Sequence, residues 1–270
     1  MGDLNNEHFI KVVRFIYDHI EQPIMLEDLA ELISVSVSSL KRLFAFMGLF
    51  GLLAMIFVIP ETHFHRQPLQ YQQLKNNFII ILTHRTFFGT VTLMGLTYSL
   101  LIVFNTLGPF LIQASLGYSP IYFGHVALFM GLTFLSGTFL CRRLLQEMSP
   151  EDLFFYAIFF FTIIAAISVL AAFLNPQNVW IIIIPSLLMF LGCGIIYPAA
   201  MGNGLSLFRH LAGSGSAVMN LINILITSLT ALIMSFLHAD SAVPLNLINF
   251  ILMALAAVVY CLLIRKKVTA

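Results

Sequence analysis

Apolar residues fall in long unbroken runs over most of the chain. Six runs, at residues 86–113, 121–141, 153–174, 178–200, 211–236 and 244–264, are long enough to cross a bilayer, which takes about 20 helical residues. The breaks between them are short and polar or turn-like: Gly117-Tyr-Ser-Pro120, Arg142–Asp152, Asn175-Pro-Gln-Asn178, Gly202–His210 and His238–Val243. A seventh run, 44–60, has 17 residues. At about 1.5 Å per residue it reaches roughly 25 Å against a hydrocarbon core of about 30 Å, a marginal span.

Ahead of the runs the pattern changes. Phe9, Val12, Val13, Phe15, Ile16 and Ile20 recur at helical spacing, and Pro23 closes that stretch. Leu26–Ile33 reads as a second short helix with early carboxylates, and Ser36 as the N-cap of a third. From Ser38 to Ile59 no Pro interrupts, which predicts one continuous helix into the apolar run. The N-terminus is acidic and amphipathic, unlike a signal peptide. Between Gln67 and His84, Leu69, Tyr71, Leu74, Phe78 and Leu82 form a near-helical stripe beside Lys75 and Arg85. That predicts a helix on the membrane surface. The fold class expected is all-α: a polytopic membrane protein with six transmembrane helices, one marginal span and a short soluble helical N-terminus.

Charge sharpens the division. Residues 1–43 carry 11 charges, four basic and seven acidic, while residues 44–270 carry 14 in 227 positions. A water-soluble surface cannot be covered so sparsely, which excludes a soluble enzyme, a secreted disulfide scaffold and a disordered tail. Past residue 44 the nine basic residues are Arg66, Lys75, Arg85, Arg142, Arg143, Arg209, Arg265, Lys266 and Lys267. All fall on one side of the alternating spans. By the positive-inside rule that side is cytoplasmic. Cys141, Cys193 and Cys261 are scattered in apolar stretches and read as small buried hydrophobes. His63, His65 and His84 read as polar loop residues rather than a metal site; no metal or cofactor is expected.

A weak internal repeat pairs Gly108-Pro109 near the end of the first span with Pro198 near the end of the fourth. These open two three-helix groups of inverted topology. From Pro60 onward specific stretches carry a resemblance. They are Pro60-Glu-Thr62, Thr83-His-Arg-Thr-Phe-Phe-Gly89, Gly108-Pro-Phe110, Leu116-Gly-Tyr-Ser-Pro120, Gly192-Cys-Gly-Ile-Ile-Tyr-Pro-Ala-Ala-Met201 and Ala212-Gly-Ser-Gly-Ser-Ala-Val218. This part resembles the C-terminal half of a major facilitator drug-efflux protein of the Bcr/CflA type. The resemblance implies twelve spans, of which the last six and what looks like the sixth are present here. It also implies a multi-pass protein of the bacterial inner membrane, with the lipid bilayer, amphipathic drug-like molecules and protons as partners.

Leu26-Glu-Asp-Leu-Ala-Glu-Leu-Ile-Ser-Val-Ser-Val-Ser-Ser-Leu-Lys-Arg-Leu-Phe44 resembles the first helix-turn-helix of AraC-type regulators, with Ser34 where that family usually has Gly. Ser38, Ser39, Lys41 and Arg42 match its DNA-facing positions, here vestigial. The family's second reading module is absent. Four basic against seven acidic residues make no cationic face for phosphates, so Lys41 and Arg42 read as an anchor flanking a span and DNA is not expected as a partner. If 44–60 spans and the tail is cytoplasmic, the helix-turn-helix would lie outside, where there is no DNA. The expected organisation is therefore a fusion of truncated modules. It runs 1–43 helix-turn-helix, 44–60 marginal span, 61–85 cytoplasmic linker with an amphipathic helix, and 86–270 six-helix bundle.

The spans from 86 to 264 contain no carboxylate and no Lys or Arg. His125 is the only imidazole within one. Ser216, Asn220, Asn223, Thr227 and Thr230 recur at intervals of 4, 3, 4 and 3 and share a helix face. That face suits a substrate cavity or interhelical hydrogen bonding, and the spacing leaves both open. Tyr98 and Asn105, with Met94, and Tyr197 and Met201 around Pro198, add aromatic, amide and thioether groups suited to varied amphipathic ligands. Gly213 and Gly215, like Gly192 and Gly194, read as packing positions. The function expected is a transporter fragment, not an enzyme. It resembles half of a proton-coupled multidrug efflux protein, inactive alone and completed by a separately encoded N-terminal half or a second copy. The alternative is a membrane-anchored AraC-like DNA-binding regulator.

Overall fold

The structure is a computed structural model. It describes residues 71–237 and 241–265, together with 42, 45, 46 and 48–53. The chain divides into two units, Met1–Pro68 and Leu69–Ala270. In the first, the described positions are helical. These include Arg42, which is exposed, and part of the stretch expected as one helix from Ser38 to Ile59. The rest of that stretch, the helix-turn-helix positions Ser38, Ser39 and Lys41, and residues 54–70 lie outside the described residues.

The second unit begins with α1, Tyr71–Thr83. Six helices long and apolar enough to cross a membrane follow. They are α2 (Arg85–Pro109, continued as a π-helix over Phe110–Ser115), α3 (Pro120–Glu147), α4 (Pro150–Leu174), α5 (Val179–Leu207), α6 (Ala212–Ser235, after a 3₁₀ turn at Arg209–Leu211) and α7 (Ala242–Val259, continued as a π-helix over Tyr260–Ile264). With 23 to 31 residues apiece, they run roughly 35 to 46 Å, longer than a hydrocarbon core of about 30 Å. Several therefore outrun the apolar runs. α3 passes through Arg142 and Arg143 to Glu147, and α5 through Gly202 and Gly204 to Leu207. Charge and glycine do not stop these helices; a capped Ser-Pro pair and the irregular backbone at Phe208 do.

The starts are encoded locally. Ser119 and Ser149 each accept a hydrogen bond from a first-turn amide, of Tyr122 and Asp152 respectively, and each precedes a proline at the first helical position. The Asn178 side chain caps α5 through the Trp180 amide at 3.0 Å. His84, expected as a loop residue, caps α2, its Nδ1 accepting from Phe87 N. After α2, Gly117 takes a left-handed φ of 71°, and Tyr118 N closes back onto the Ile112 carbonyl.

The helices pack in an exchanged pattern. α2 lies against α5, α6 and α7, and α5 lies against α2, α3 and α4, while α4 packs on α7. Swapping α2–α4 for α5–α7 leaves these principal contacts unchanged, while a smaller contact of α7 on α5 has no comparable counterpart between α4 and α2. The first helix of each group thus packs on the second helix of the other, as an inverted repeat requires. α2 and α5 are the centre, with 67% and 61% of their most apolar windows buried, against 17% for α3 and 28% for α6. The outer faces are strongly apolar, with Leu174 88% and Phe236 76% exposed. Such surface fits lipid and not water.

The closest crossing is α3 on α5. A Cβ on Gly194 would land on the Phe134 carbonyl and 3.1 Å from the Gly137 Cα. Gly192 lies under the Phe161 ring. The packing reading of Gly192 and Gly194 holds. That of Gly213 does not: no described atom lies within 4 Å of where its Cβ would be, and Gly215 meets only the Phe208 Cβ at 3.8 Å. Cys141 and Cys193 are buried, but Cys261 is exposed, because it lies on the outer side of the last turn of α7.

Candidate functional site

The two ends of the bundle are tied differently. At the basic end, the Arg85 guanidinium donates to the Leu262 carbonyl, Tyr260 Oη donates to the Glu151 carbonyl at 3.2 Å, and the His84 ring meets Phe208 edge-on at 5.3 Å. These contacts join the start of α2, the start of α4 and the ends of α5 and α7. At the other end Ala242 N donates to the Pro176 carbonyl at 3.0 Å, joining two breaks without Lys or Arg. The segregation of charge along the sequence is thus a segregation in space.

Near the middle of the two central helices, Tyr98 on α2 and Tyr197 on α5 bring their rings together, with centroids 5.1 Å apart and planes tilted by 40°. Both are half-buried. On α2 the half-buried Tyr98, Leu101 and Ile102 and the exposed Asn105 lie at helical spacing. On α5 the stretch before Tyr197 is almost fully buried, while Tyr197 and Pro198 are half-buried and Met201 is exposed. An accessible strip on each central helix, Tyr98 to Asn105 on α2 and Tyr197 to Met201 on α5, thus reaches the tyrosine pair. Met94, one turn before Tyr98, is instead in the core.

The polar face of α6 is divided. Thr230 is buried and its Oγ1 donates to Ser99 Oγ of α2 at 3.0 Å. Asn223 is buried, and its Oδ1 has no hydrogen-bond partner among the described residues. Thr227 donates to its own helix at the Asn223 carbonyl, 2.9 Å away. Ser216 is half-buried and Asn220 exposed. The same five-residue face thus supplies interhelical bonding at its buried edge and accessible amide and hydroxyl groups at its open edge. The helix turns part of it under α2 at Ile226, which lies against Gly95.

His125 is exposed on α3. Among the described residues no group of three or more His, Cys, Asp or Glu could hold a metal ion. Three participants escaped the reading of the sequence: Ser99, Gly137 and Asn246. Ser99 and Gly137 carry no signal until a partner helix is assigned. Asn246 had one, an amide within an apolar run.

A search of curated proteins found no match. A family model described as Major Facilitator Superfamily matches residues 29–231, three quarters of the chain, including α1 to α5 and nearly all of α6. It begins within the stretch that resembles a helix-turn-helix. With the exchanged three-helix groups, six membrane-crossing helices and charge at one end, the conclusion is that this chain belongs to the Major Facilitator Superfamily and is a multi-pass membrane transporter protein.

Proposed function

We propose that the six spans are the C-terminal half of a proton-coupled multidrug efflux transporter of the Bcr/CflA type, in the bacterial inner membrane. The observation that carries this is the Tyr98–Tyr197 pair, where half-buried positions of the two central described helices meet. Two tyrosine rings, the Asn105 amide, the Met201 thioether and, on α6, Ser216 and Asn220 offer apolar, polarizable and hydrogen-bonding surface without charge. That chemistry suits amphipathic molecules of varied shape. Among the candidates, Asn223 is buried and Thr227 donates to the backbone of its own helix, so neither offers an open face.

Alternating access rocks one six-helix half against another around a site between them. The strip needs such a half opposite, from a separate chain or a second copy. The apolar runs within the spans carry no carboxylate, so proton coupling also falls to the opposing half. The DNA-binding alternative is the weaker reading, because the family match starts at residue 29 and residues 1–43 carry four basic against seven acidic residues.

The test is reconstitution in liposomes, with a proton gradient and ethidium as the transported dye. The chain alone should give no gradient-driven efflux. Paired with an N-terminal six-helix half it should transport, and Tyr98→Ala or Tyr197→Ala should cut the rate at least tenfold at equal amounts of folded protein. Robust efflux by the chain alone would sink the half-transporter reading. Unchanged rates in both tyrosine variants would remove the site.

A further inference from the structure

A proline in α5 exposes a site that the fold alone does not explain. Pro185 has no N–H, so the carbonyl four residues earlier, Ile181, has no donor within its own helix. Asn246 of α7 supplies one: its Nδ2 donates to the Ile181 carbonyl at 3.1 Å and to the Ala242 carbonyl of its own helix at 3.2 Å. These two bonds fix the amide's orientation, because exchanging its ends would set oxygen against oxygen. Oδ1 is thereby committed to be an acceptor. It is fully buried and has no partner among the described residues.

Asn249 lies three residues on, along the same buried stripe of Ala242, Leu245, Asn246, Leu252 and Ala256. It is 2% exposed, and its Oδ1 is also unpartnered. Residues three apart on a helix are neighbours, with Cβ atoms about 5–6 Å apart. Two buried amide oxygens without donors are costly inside a membrane protein; bonds fix the ends of the Asn246 amide, while none among the described residues fixes those of Asn249. We propose that the α5–α7 crossing, near the ends that carry no basic residue, holds a buried water site in which one water donates a hydrogen to each of Asn246 Oδ1 and Asn249 Oδ1. A buried water normally makes about three hydrogen bonds to groups of this kind.

Water fits better than a cation. The described carboxylates, Glu147, Glu151 and Asp152, are all at the opposite, basic end of the bundle. A bare cation between two neutral amides would have no countercharge among the described residues at this end. The site completes a chain of bonds, Ile181 carbonyl to Asn246 to water to Asn249, that holds the proline break of α5 against α7.

The decisive measurement is an experimental map of the full chain at a resolution that shows ordered water. A density peak about 2.7–3.2 Å from both Oδ1 atoms is expected. An empty position, or Asn249 bonded directly to a protein donor, would overturn the proposal. In detergent, Asn249→Leu should lower the thermal midpoint by a few degrees, since it removes one anchor of the water and leaves Asn246 Oδ1 dry. A dry site predicts the opposite sign, so an unchanged or raised midpoint counts against the water. Exchanging choline chloride for sodium chloride at constant ionic strength should leave the wild-type midpoint unchanged. Sodium-dependent stabilisation lost in Asn249→Leu would replace water by a cation. If Asn249→Leu does not fold, the map decides.

Discussion

The α3–α5 crossing allows a prediction by sign as well as size. Gly131 and Gly137 both lie inside α3, six residues apart. A Cβ at Gly137 would strike the Leu191 carbonyl and come within 3.0 Å of the Gly194 Cα, whereas at Gly131 it would meet nothing within 4 Å. Alanine favours a helix over glycine by roughly 0.5–1 kcal/mol. In detergent that gain is an upper bound, since much of the helix persists after unfolding. Against it, forcing a methyl into a packed contact costs about 1–3 kcal/mol. Here the obstacle is backbone on a partner helix, which cannot rotate away as a side chain can. Gly137→Ala should therefore lose about 1–2 kcal/mol net, while Gly131→Ala should be neutral or gain up to about 1 kcal/mol. For a bundle of this size that is a drop in midpoint of roughly 2–8 °C for one and none for the other. Thermal unfolding in one detergent, followed by far-UV circular dichroism, measures both. Equal midpoints for the two variants, or a loss at Gly131 matching that at Gly137, would refute the claim that this crossing is set by backbone contact.

Further outcomes follow from particular contacts. In a background without native cysteines, a cysteine at Ser241 should react with an impermeant thiol reagent added outside cells and one at Gln146 should not; the reverse pattern would invert the topology. A double-mutant cycle on Ser99→Ala and Thr230→Val should give a coupling of about 0.6 kcal/mol, at most about 1.7 kcal/mol, the range for hydrogen bonds between membrane helices; zero coupling would mean that α6 does not sit on α2 as described. Ser149→Ala removes the cap from the Asp152 amide and should cost about 1 kcal/mol, whereas Ser149→Thr, which keeps the hydroxyl that also donates to the Asp152 carboxylate, should restore most of it. The full chain in detergent should not discriminate any DNA sequence from scrambled DNA by more than about tenfold, roughly 1.4 kcal/mol, in a gel-shift titration.

Much of the fold was legible because lipid makes a one-dimensional demand. A span must be apolar along about 20 residues, so six helices, their order and their basic ends could be read from position alone. The sequence places the helix starts only by the opening of the apolar runs at 121 and 153, while the structure sets them at Ser119-Pro120 and Ser149-Pro150, where each serine hydroxyl accepts from an amide three residues on. Legibility ended where a second helix enters. In water an amphipathic period reveals the buried face, but a helix apolar all round does not say which side meets protein and which meets lipid. Hence Ser216 to Thr230 could be recognised as one face, yet only the packing of α6 on α2 divides it into a buried Thr230 bonded to Ser99 and an accessible Asn220. Gly137 and Gly194, distant in sequence, become a single contact only when α3 crosses α5, while Gly213, in a glycine-rich motif, meets nothing. The meeting of Tyr98 with Tyr197, and of Asn246 with the carbonyl freed by Pro185, was likewise decided in three dimensions. Hydropathy sums over a segment, whereas a hydrogen bond or a ring contact depends on the rotation and depth of two helices at once.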